Sequence, residues 1–422
     1  MIYRLSTTLA LLTLIACGSG DEADARSREL ASTVPEGAAT ETGTATALAS
    51  DPRELTPEQV EAGRMDSSWK RYVEVDPEPG SDSASAGPRG NTADSAASSR
   101  DTTAAEAWED ISAETVNSSV ATLPIHGDVA GPAVAKVQIL LDQAGFSPGV
   151  IDGRWGKNTE KAVYWFQKAR GLGATGKVDR GTLTALESEG GSAQVRTRTL
   201  QEMDVSGPFE DLPEDVYARA DRPCLCYESR REKLGEVFHA TPELLEQLNP
   251  GVDLESLAAG QTLDVPAVEP FHLDAIPDGE FSGGTEVARI VISDGGHYLH
   301  ALDEAGNILY HFPSTLGSDY APSPQGSFSV RSITFDPTWH YQPDLLSGVD
   351  PSREDAILPA GPNNAVGVVW MQLSKDHYGI HGTSAPSTIG YATSHGCVRL
   401  TNWSAEELAK IVQAGTVVEF KD

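Results

Sequence analysis

Apolar positions follow a different spacing in each stretch of this chain. After a short apolar run from Leu9 to Ile15, residues 18 to about 123 are mostly Ala, Ser, Thr, Gly, Asp and Glu, with few large apolar side chains. Such a segment cannot bury enough surface to offset the entropy of ordering it. It is expected to be a disordered tether. Two islands interrupt it, one with Val60, Met65, Trp69 and Val73 after a Thr56-Pro57 helix start, the other around Trp108 and Ile111; both read as transient helices, the alternative being segments that dock on the enzyme or on a partner. From Ala130 to Leu186 the spacing becomes helical. Val134, Val137, Leu140 and Leu141 share a face, Pro148 to Gly153 form a turn, and Asn158 is placed to cap a second helix with Ala162, Val163 and Phe166. Leu183 and Leu186 mark a third. Between Cys226 and Pro266, Tyr227 starts a strand, Leu234, Val237 and Phe238 form a helical face, Thr241-Pro242 opens another helix, and Leu263 and Val265 lie on a closing strand. After Val287 the period falls to two. Ile290 and Ile292 alternate with Arg289, Val291 and Ser293, with turns at Gly295-Gly296 and Asp303 to Asn307. Ser404-Ala405-Glu406-Glu407 reads as a capping box for a helix carrying Leu408 and Ile411, and Val417 to Phe420 as a last strand.

Composition narrows the partners. The formal charge is −31, from 62 acidic against 31 basic residues among 422. That argues against nucleic acid, which needs a basic footprint, and fits a solvating acidic surface. Leu9 to Ile15, behind Arg4, is too short to span a bilayer and reads as a targeting segment. There are four cysteines. Cys224 and Cys226 are one residue apart, either reduced or joined in a small loop, and no second ligand pair nearby suggests zinc.

The densest chemistry lies near the C-terminus. Gly379-Ile380-His381-Gly382-Thr383 is followed by Ser394-His395-Gly396-Cys397-Val398-Arg399-Leu400. A thiol becomes a useful nucleophile when a histidine takes or shares its proton, which makes Cys397 and His381 the candidate catalytic pair. Gly396 lets backbone approach the thiol, and N–H groups around His395, Gly396 and Cys397 are candidates to hold an oxyanion. Ser394 either hydrogen-bonds the catalytic histidine or caps a turn. Arg399 either holds a substrate carboxylate through its fork or makes a structural ion pair.

These segments, with Pro322-Ser323-Pro324-Gln325-Gly326-Ser327-Phe328, Asp336-Pro337-Thr338-Trp339 and Gly361-Pro362-Asn363-Asn364, resemble the catalytic domain of L,D-transpeptidases, the YkuD-like cysteine enzymes that remodel peptidoglycan. The resemblance implies Cys397 as nucleophile, His381 as base and Gly382 orienting the imidazole through its carbonyl. Asp152-Gly153, Trp155-Gly156 and Phe166-Gln167 resemble a peptidoglycan-binding domain of three helices. Leu248-Asn249-Pro250-Gly251 and Gly260 to Pro266 resemble a LysM module, with a departure at Arg231-Glu232-Lys233 in the turn that helps shape the family's sugar groove. Leu14-Ile15-Ala16-Cys17 resembles a lipobox, implying lipid on Cys17.

The expected architecture is multidomain: a lipoprotein signal peptide over 1–16, a disordered tether over 17–123, a small three-helix bundle over 124–190, a LysM-like α+β module over 224–268, and a mainly-β catalytic domain over 285–421. The expected activity is transfer of a peptidoglycan tetrapeptide stem through a thioester on Cys397, forming 3-3 cross-links or attaching other amines. Alternatives are a peptidase of the same fold that uses water, and a non-catalytic wall-binding tether. No metal or organic cofactor is implied. The expected partners are peptidoglycan and, through the lipid, a membrane in the cell envelope, at the periplasmic face of an outer membrane if the cell has one.

Overall fold

The helical spacing after Ala130 becomes three helices in the computed structural model, which describes residues 44–45, 111–119, 122–272, 279–280, 284, 286–318, 321–346 and 349–421. Ahead of them lies α1 (Ala113–Ser118), capped by Ser112, whose hydroxyl accepts from the Thr115 N–H. The three are α2 (Pro132–Gln143), α3 (Lys157–Ala169) and α4 (Arg180–Glu189). They share a core containing Val137, Leu140, Leu141, Phe146, Phe166 and Leu186. Gln138 sits in this apolar face because the turn needs it. Its amide donates to Asp152 Oδ1 at 2.9 Å and accepts from the Gly153 N–H at 2.8 Å.

Two expectations for this region fail. Ile111 is not on a transient helix: it is 2% exposed and packs in a core with Ala135, Ile139 and Ile151. The expected tether therefore gives way to ordered chain by Ile111, because one large apolar side chain finds a preformed socket that its own segment could not supply. Asn158 does not cap α3. Gly156 holds that position, and Asn158 is buried, donating to the Ile389 carbonyl at 2.8 Å. The remaining islands, with Trp69 and Trp108, lie outside the described residues.

Next come β1 (Val195–Thr199), α5 (Arg230–Val237), α6 (Pro242–Leu248) and β2 (Thr262–Pro266). β2 pairs antiparallel with β1, not with a strand at Tyr227, where none forms. The partner lies some 30 residues earlier because Val195 supplies the apolar contact that Tyr227, hydrogen-bonded to a carboxylate, does not. Arg231-Glu232-Lys233, expected in a turn, lies within α5.

The two-residue alternation builds the C-terminal sheet. Its strands are β3 (Arg289–Ser293), β4 (Tyr298–Leu302) and β5 (Ile308–Pro313), then β6 (Leu316–Gly317) in a separate ribbon, and β7 (Gly326–Phe335). β8 (Thr338–Tyr341) and β9 (Ala356–Leu358) pair with each other. β10 (Val369–Leu373), β11 (Gly379–His381), β12 (Thr393–Ser394), β13 (Val398–Arg399) and β14 (Val417–Lys421) follow, and a two-residue strand, Gly279–Glu280, pairs with the end of β7. The order across the main sheet is β13-β11-β10-β7-β14-β3-β4-β5. One face packs under α7 (Asn402–Ile411), whose cap is Thr401, accepting from the Ser404 N–H, and not Ser404 itself.

The described parts are interlocked. Ser147 and the 145 carbonyl pair with His311 on β5, closing an exposed sheet edge. Lys161 of α3 is fully buried, its ammonium donating to the His297 carbonyl at 2.8 Å. Ile151 exchanges backbone hydrogen bonds with the 239–241 segment. Ile111→Ala should therefore cost about 2–4 kcal/mol in chemical denaturation, as a core truncation does. A variant as stable as the parent would mean that this residue contributes nothing to the fold.

Candidate active site

His381 ends β11 and sits between two neighbours fixed by sheet register, Trp370 on β10 and Arg399 on β13. It is fully buried, its ring 5.5 Å from that of Trp370. Its Nδ1 lies 2.7 Å from the Gly382 carbonyl. A carbonyl only accepts, so Nδ1 carries the proton and Nε2 presents its lone pair. Nε2 is buried and has no hydrogen-bond partner. Burial first, then the Arg399 charge, pushes the imidazole down to about 3, so it is neutral in this state.

Cys397 lies just before β13 and is 1% exposed. Its Sγ is 3.7 Å from the His377 carbonyl. Burial raises the thiol to about 11, offset in part by the Gly379 backbone and by Arg399. The resting state therefore holds a neutral thiol and a neutral imidazole.

The loop ahead of Cys397 is held by Ser394. Its hydroxyl donates to the Cys397 carbonyl at 2.6 Å and accepts from the Gly396 N–H at 3.0 Å. Of the two roles open for Ser394, the geometry is the turn-shaping one: it does not reach the imidazole, because β12 pairs with β6 and holds the hydroxyl over its own loop. The same bond occupies the Gly396 N–H, so that group is not free for an oxyanion. The Cys397 N–H has no acceptor among the described residues. Gly396 has φ 111°, and a Cβ there would sit 2.8 Å from the Tyr378 ring. Only glycine fits.

A cavity of about 670 Å³ lies beside this site, lined by Trp339, Tyr341, Thr383, His395 and Arg399 but by neither Cys397 nor His381. Its other wall comes from upstream: Asp215, Val216, Arg219, Glu228 and Glu232. Cys224 and Cys226 are joined in a disulfide. Leu225 between them is fully buried in the apolar cluster that contains Trp339, Trp370 and Cys397. Its N–H donates to the Ala360 carbonyl at 2.8 Å and its carbonyl accepts from Asn363 at 2.9 Å. This peptide-like pairing beside the thiol was not legible in the sequence. A lone Leu between two cysteines carries no signal of where it docks.

A model of the L,D-transpeptidase catalytic domain matches residues 287–420, and one of a peptidoglycan binding domain matches residues 130–186. The putative L,D-transpeptidase YkuD of Bacillus licheniformis is 33% identical over 187 residues, covering 44% of this chain and 90% of that protein. Its counterpart in Bacillus subtilis is 31% identical over 182 residues, covering 43% and 87%. The chain belongs to the L,D-transpeptidase family. The probable L,D-transpeptidase YbiS of Escherichia coli is 30% identical over 179 residues, but the match spans 55% of that protein. The disulfide loop and the acidic cavity wall lie outside residues 287–420, so the family's catalytic domain does not account for the whole of this L,D-transpeptidase's groove.

The raised thiol has a readable consequence. At pH 7 a thiol near 11 is ionised to on the order of one part in 10⁴. Iodoacetamide labelling of Cys397 in the free protein should therefore be slow, rise about tenfold per pH unit, and reach no plateau by pH 9.5. A plateau near pH 8 would contradict the buried, neutral resting site. Leu225→Gly should speed labelling at fixed pH by opening the cluster over the sulfur.

Proposed function

We propose that this chain is an L,D-transpeptidase that transfers peptidoglycan tetrapeptide stems through a thioester on Cys397. The observation that carries the reading is the fixed tautomer of His381, with Nδ1–H held by the Gly382 carbonyl, Nε2 unpartnered, and the ring against Trp370 of the apolar cluster that contains Cys397. Sγ attacks the carbonyl carbon of the stem's third residue while its proton passes to His381 Nε2. The Cys397 N–H, with the backbone at His395, stabilises the oxyanion. Collapse breaks the C–N bond to the terminal D-alanine, whose amine leaves with the proton from Nε2. An acceptor amine then attacks the thioester, gives its proton to Nε2, and the thiolate leaves and takes that proton back. Arg399, at the cavity and charged, offers a fork for a substrate carboxylate.

Burial of the thiol under Leu225 and Trp339 favours an amine acceptor over water, because little solvent reaches the sulfur. The helices over 130–186 and the α+β unit over 195–266, LysM-like in its Leu-Asn-Pro-Gly block, are proposed to hold glycan or peptide near the site by raising local concentration. The N-terminal reading extends the same proposal. Residues 1–16 are a signal, Cys17 carries lipid, and the intervening chain is a tether that ends before Ile111. The protein would then sit in the cell envelope on a membrane facing the wall, in the periplasm where an outer membrane exists.

Cys397→Ala should lower formation of cross-linked dimers from purified tetrapeptide muropeptides by on the order of 10⁴-fold or to background, while leaving sacculus binding intact. Mass spectrometry of the products measures it, and undiminished dimer formation would sink the mechanism. Cys17→Ala should move the protein from the membrane to the soluble fraction. Retention on membranes would exclude lipid as the anchor.

A further inference from the structure

Glu236 lies on α5, outside the residues matched by the catalytic-domain model, yet its carboxylate reaches the catalytic strand end. It is 5% exposed. Both of its oxygens accept from Asn402 Nδ2, at 3.2 and 3.0 Å, and one lies 3.2 Å from the Tyr227 hydroxyl. Asn402, fully buried at the start of α7, turns its Oδ1 the other way. There it accepts from the Thr383 N–H at 3.1 Å and the Val368 N–H at 3.3 Å. Thr383 follows Gly382, whose carbonyl holds His381 Nδ1. A Cβ on Gly382 would collide with Asn402 Oδ1, so the amide lies directly against this turn. One chain of contacts thus runs from the upstream module to the imidazole: Tyr227, Glu236, Asn402, the 382–383 backbone, His381.

An asparagine amide can point either way round. If Asn402 turned over, its NH₂ would face the Thr383 and Val368 N–H groups, donor against donor, and its oxygen would face Glu236. The carboxyl, accepting from Nδ2, and the Pro362 carbonyl, 3.3 Å from the same nitrogen, select the orientation observed. We propose that Glu236 is a positioning residue for the transpeptidase reaction, fixing Asn402 and through it the turn that sets the tautomer and place of His381. The inference rests on the reading of His381 as the base. It also means that the catalytic strands are not self-sufficient: a fragment starting near Ser282 lacks the residue that orients Asn402.

The pKa of Glu236 is raised by its surroundings, and the carboxyl, when protonated, keeps a carbonyl oxygen that accepts from Asn402 Nδ2. Burial is the main cause, and Glu232 on the same helix adds repulsion, against the hydrogen bonds from Asn402 and Tyr227; together they push it up to about 8. The groups facing it are Glu232 from α5, Tyr227 from the preceding segment and the neutral Asn402 from α7. Below about 4.5 the carboxyl is protonated whether folded or unfolded. Between about 4.5 and 8 only the unfolded chain ionises, so its contribution to stability falls with rising pH across that window and is flat above it.

The test compares Glu236→Ala, Glu236→Gln and Cys397→Ser in the full chain. Dimer formation from tetrapeptide muropeptides is followed from pH 5.5 to 9.5, and amide hydrogen exchange at Thr383 and Val368 is measured separately. Glu236→Ala should lower kcat tenfold or more with KM changed less than threefold, since Glu236 does not line the cavity, and should speed exchange at Thr383 and Val368. Glu236→Gln, which keeps an acceptor toward Asn402, should rescue most of that loss, and its profile should lack the step near pH 8 expected of the parent. Glu407 also lies near 8, so the step is assigned to Glu236 only by its loss in this variant. Parental kcat and exchange in Glu236→Ala, or an unaltered step in Glu236→Gln, would overturn the inference. If Glu236→Ala does not fold, the profile and exchange of Glu236→Gln decide alone. Turnover by Cys397→Ser at the parental rate would instead sink the thioester reading, leaving the exchange data to judge the clamp.

Discussion

The amide of Asn402 is the contact on which the site depends. Its oxygen takes two backbone N–H groups, one from the segment entering β10 and one from the turn leaving β11. Its nitrogen is held by Glu236 and the Pro362 carbonyl. A buried amide in a dry interior is costly unless each end is satisfied. Once satisfied, it permits one arrangement of the strands that carry Trp370 and His381. The sheet and the upstream module are tied at this point, because the amide accepts from the backbone of one and donates to the carboxyl of the other.

Around this clamp the site is kept neutral. Burial pulls the imidazole down and the thiol up, and Arg399 favours an uncharged His381 while easing ionisation of Cys397. A preformed thiolate–imidazolium pair would be more reactive toward any electrophile. In the apolar cluster with Leu225 the thiol stays un-ionised, and the imidazole beside Trp370 stays uncharged. The Cys224–Cys226 bridge fixes that leucine against Trp339 and Trp370 at little cost in chain length.

The helices after Ala130 serve the sheet as well as any wall ligand. They extend β5 through Phe146 and bury Lys161 against the 296–297 turn. They also place Asn158 on the Ile389 carbonyl, within the loop between His381 and Cys397. Tyr298 and His300 stack on each other, and Trp165 meets His300 edge-on where α3 meets β4. Polar side chains that looked like caps or surface in the sequence turn out to be the fasteners between units.

Local pattern was enough for much of this protein. The spacing of Val137, Leu140 and Leu141 gave a helix, the alternation around Ile290 gave a strand, and Thr241-Pro242 marked a helix start, because each depends on neighbours within one turn or one pleat. The Ile-His-Gly-Thr and Ser-His-Gly-Cys segments pointed to the Cys397–His381 chemistry, since the residue types themselves carry it. What the sequence left open depends on residues far apart along the chain. Tyr227 reads as a strand until Val195 is seen beside β2, Ile111 as tether until its socket exists, and Ser394 as either a histidine partner or a turn cap until β6 fixes its direction. Leu225 and Glu236 had no local signature at all. Their roles arise from meeting Cys397 and Asn402 across more than 160 residues of chain, a juxtaposition that no period in the sequence encodes and only close packing in three dimensions decides.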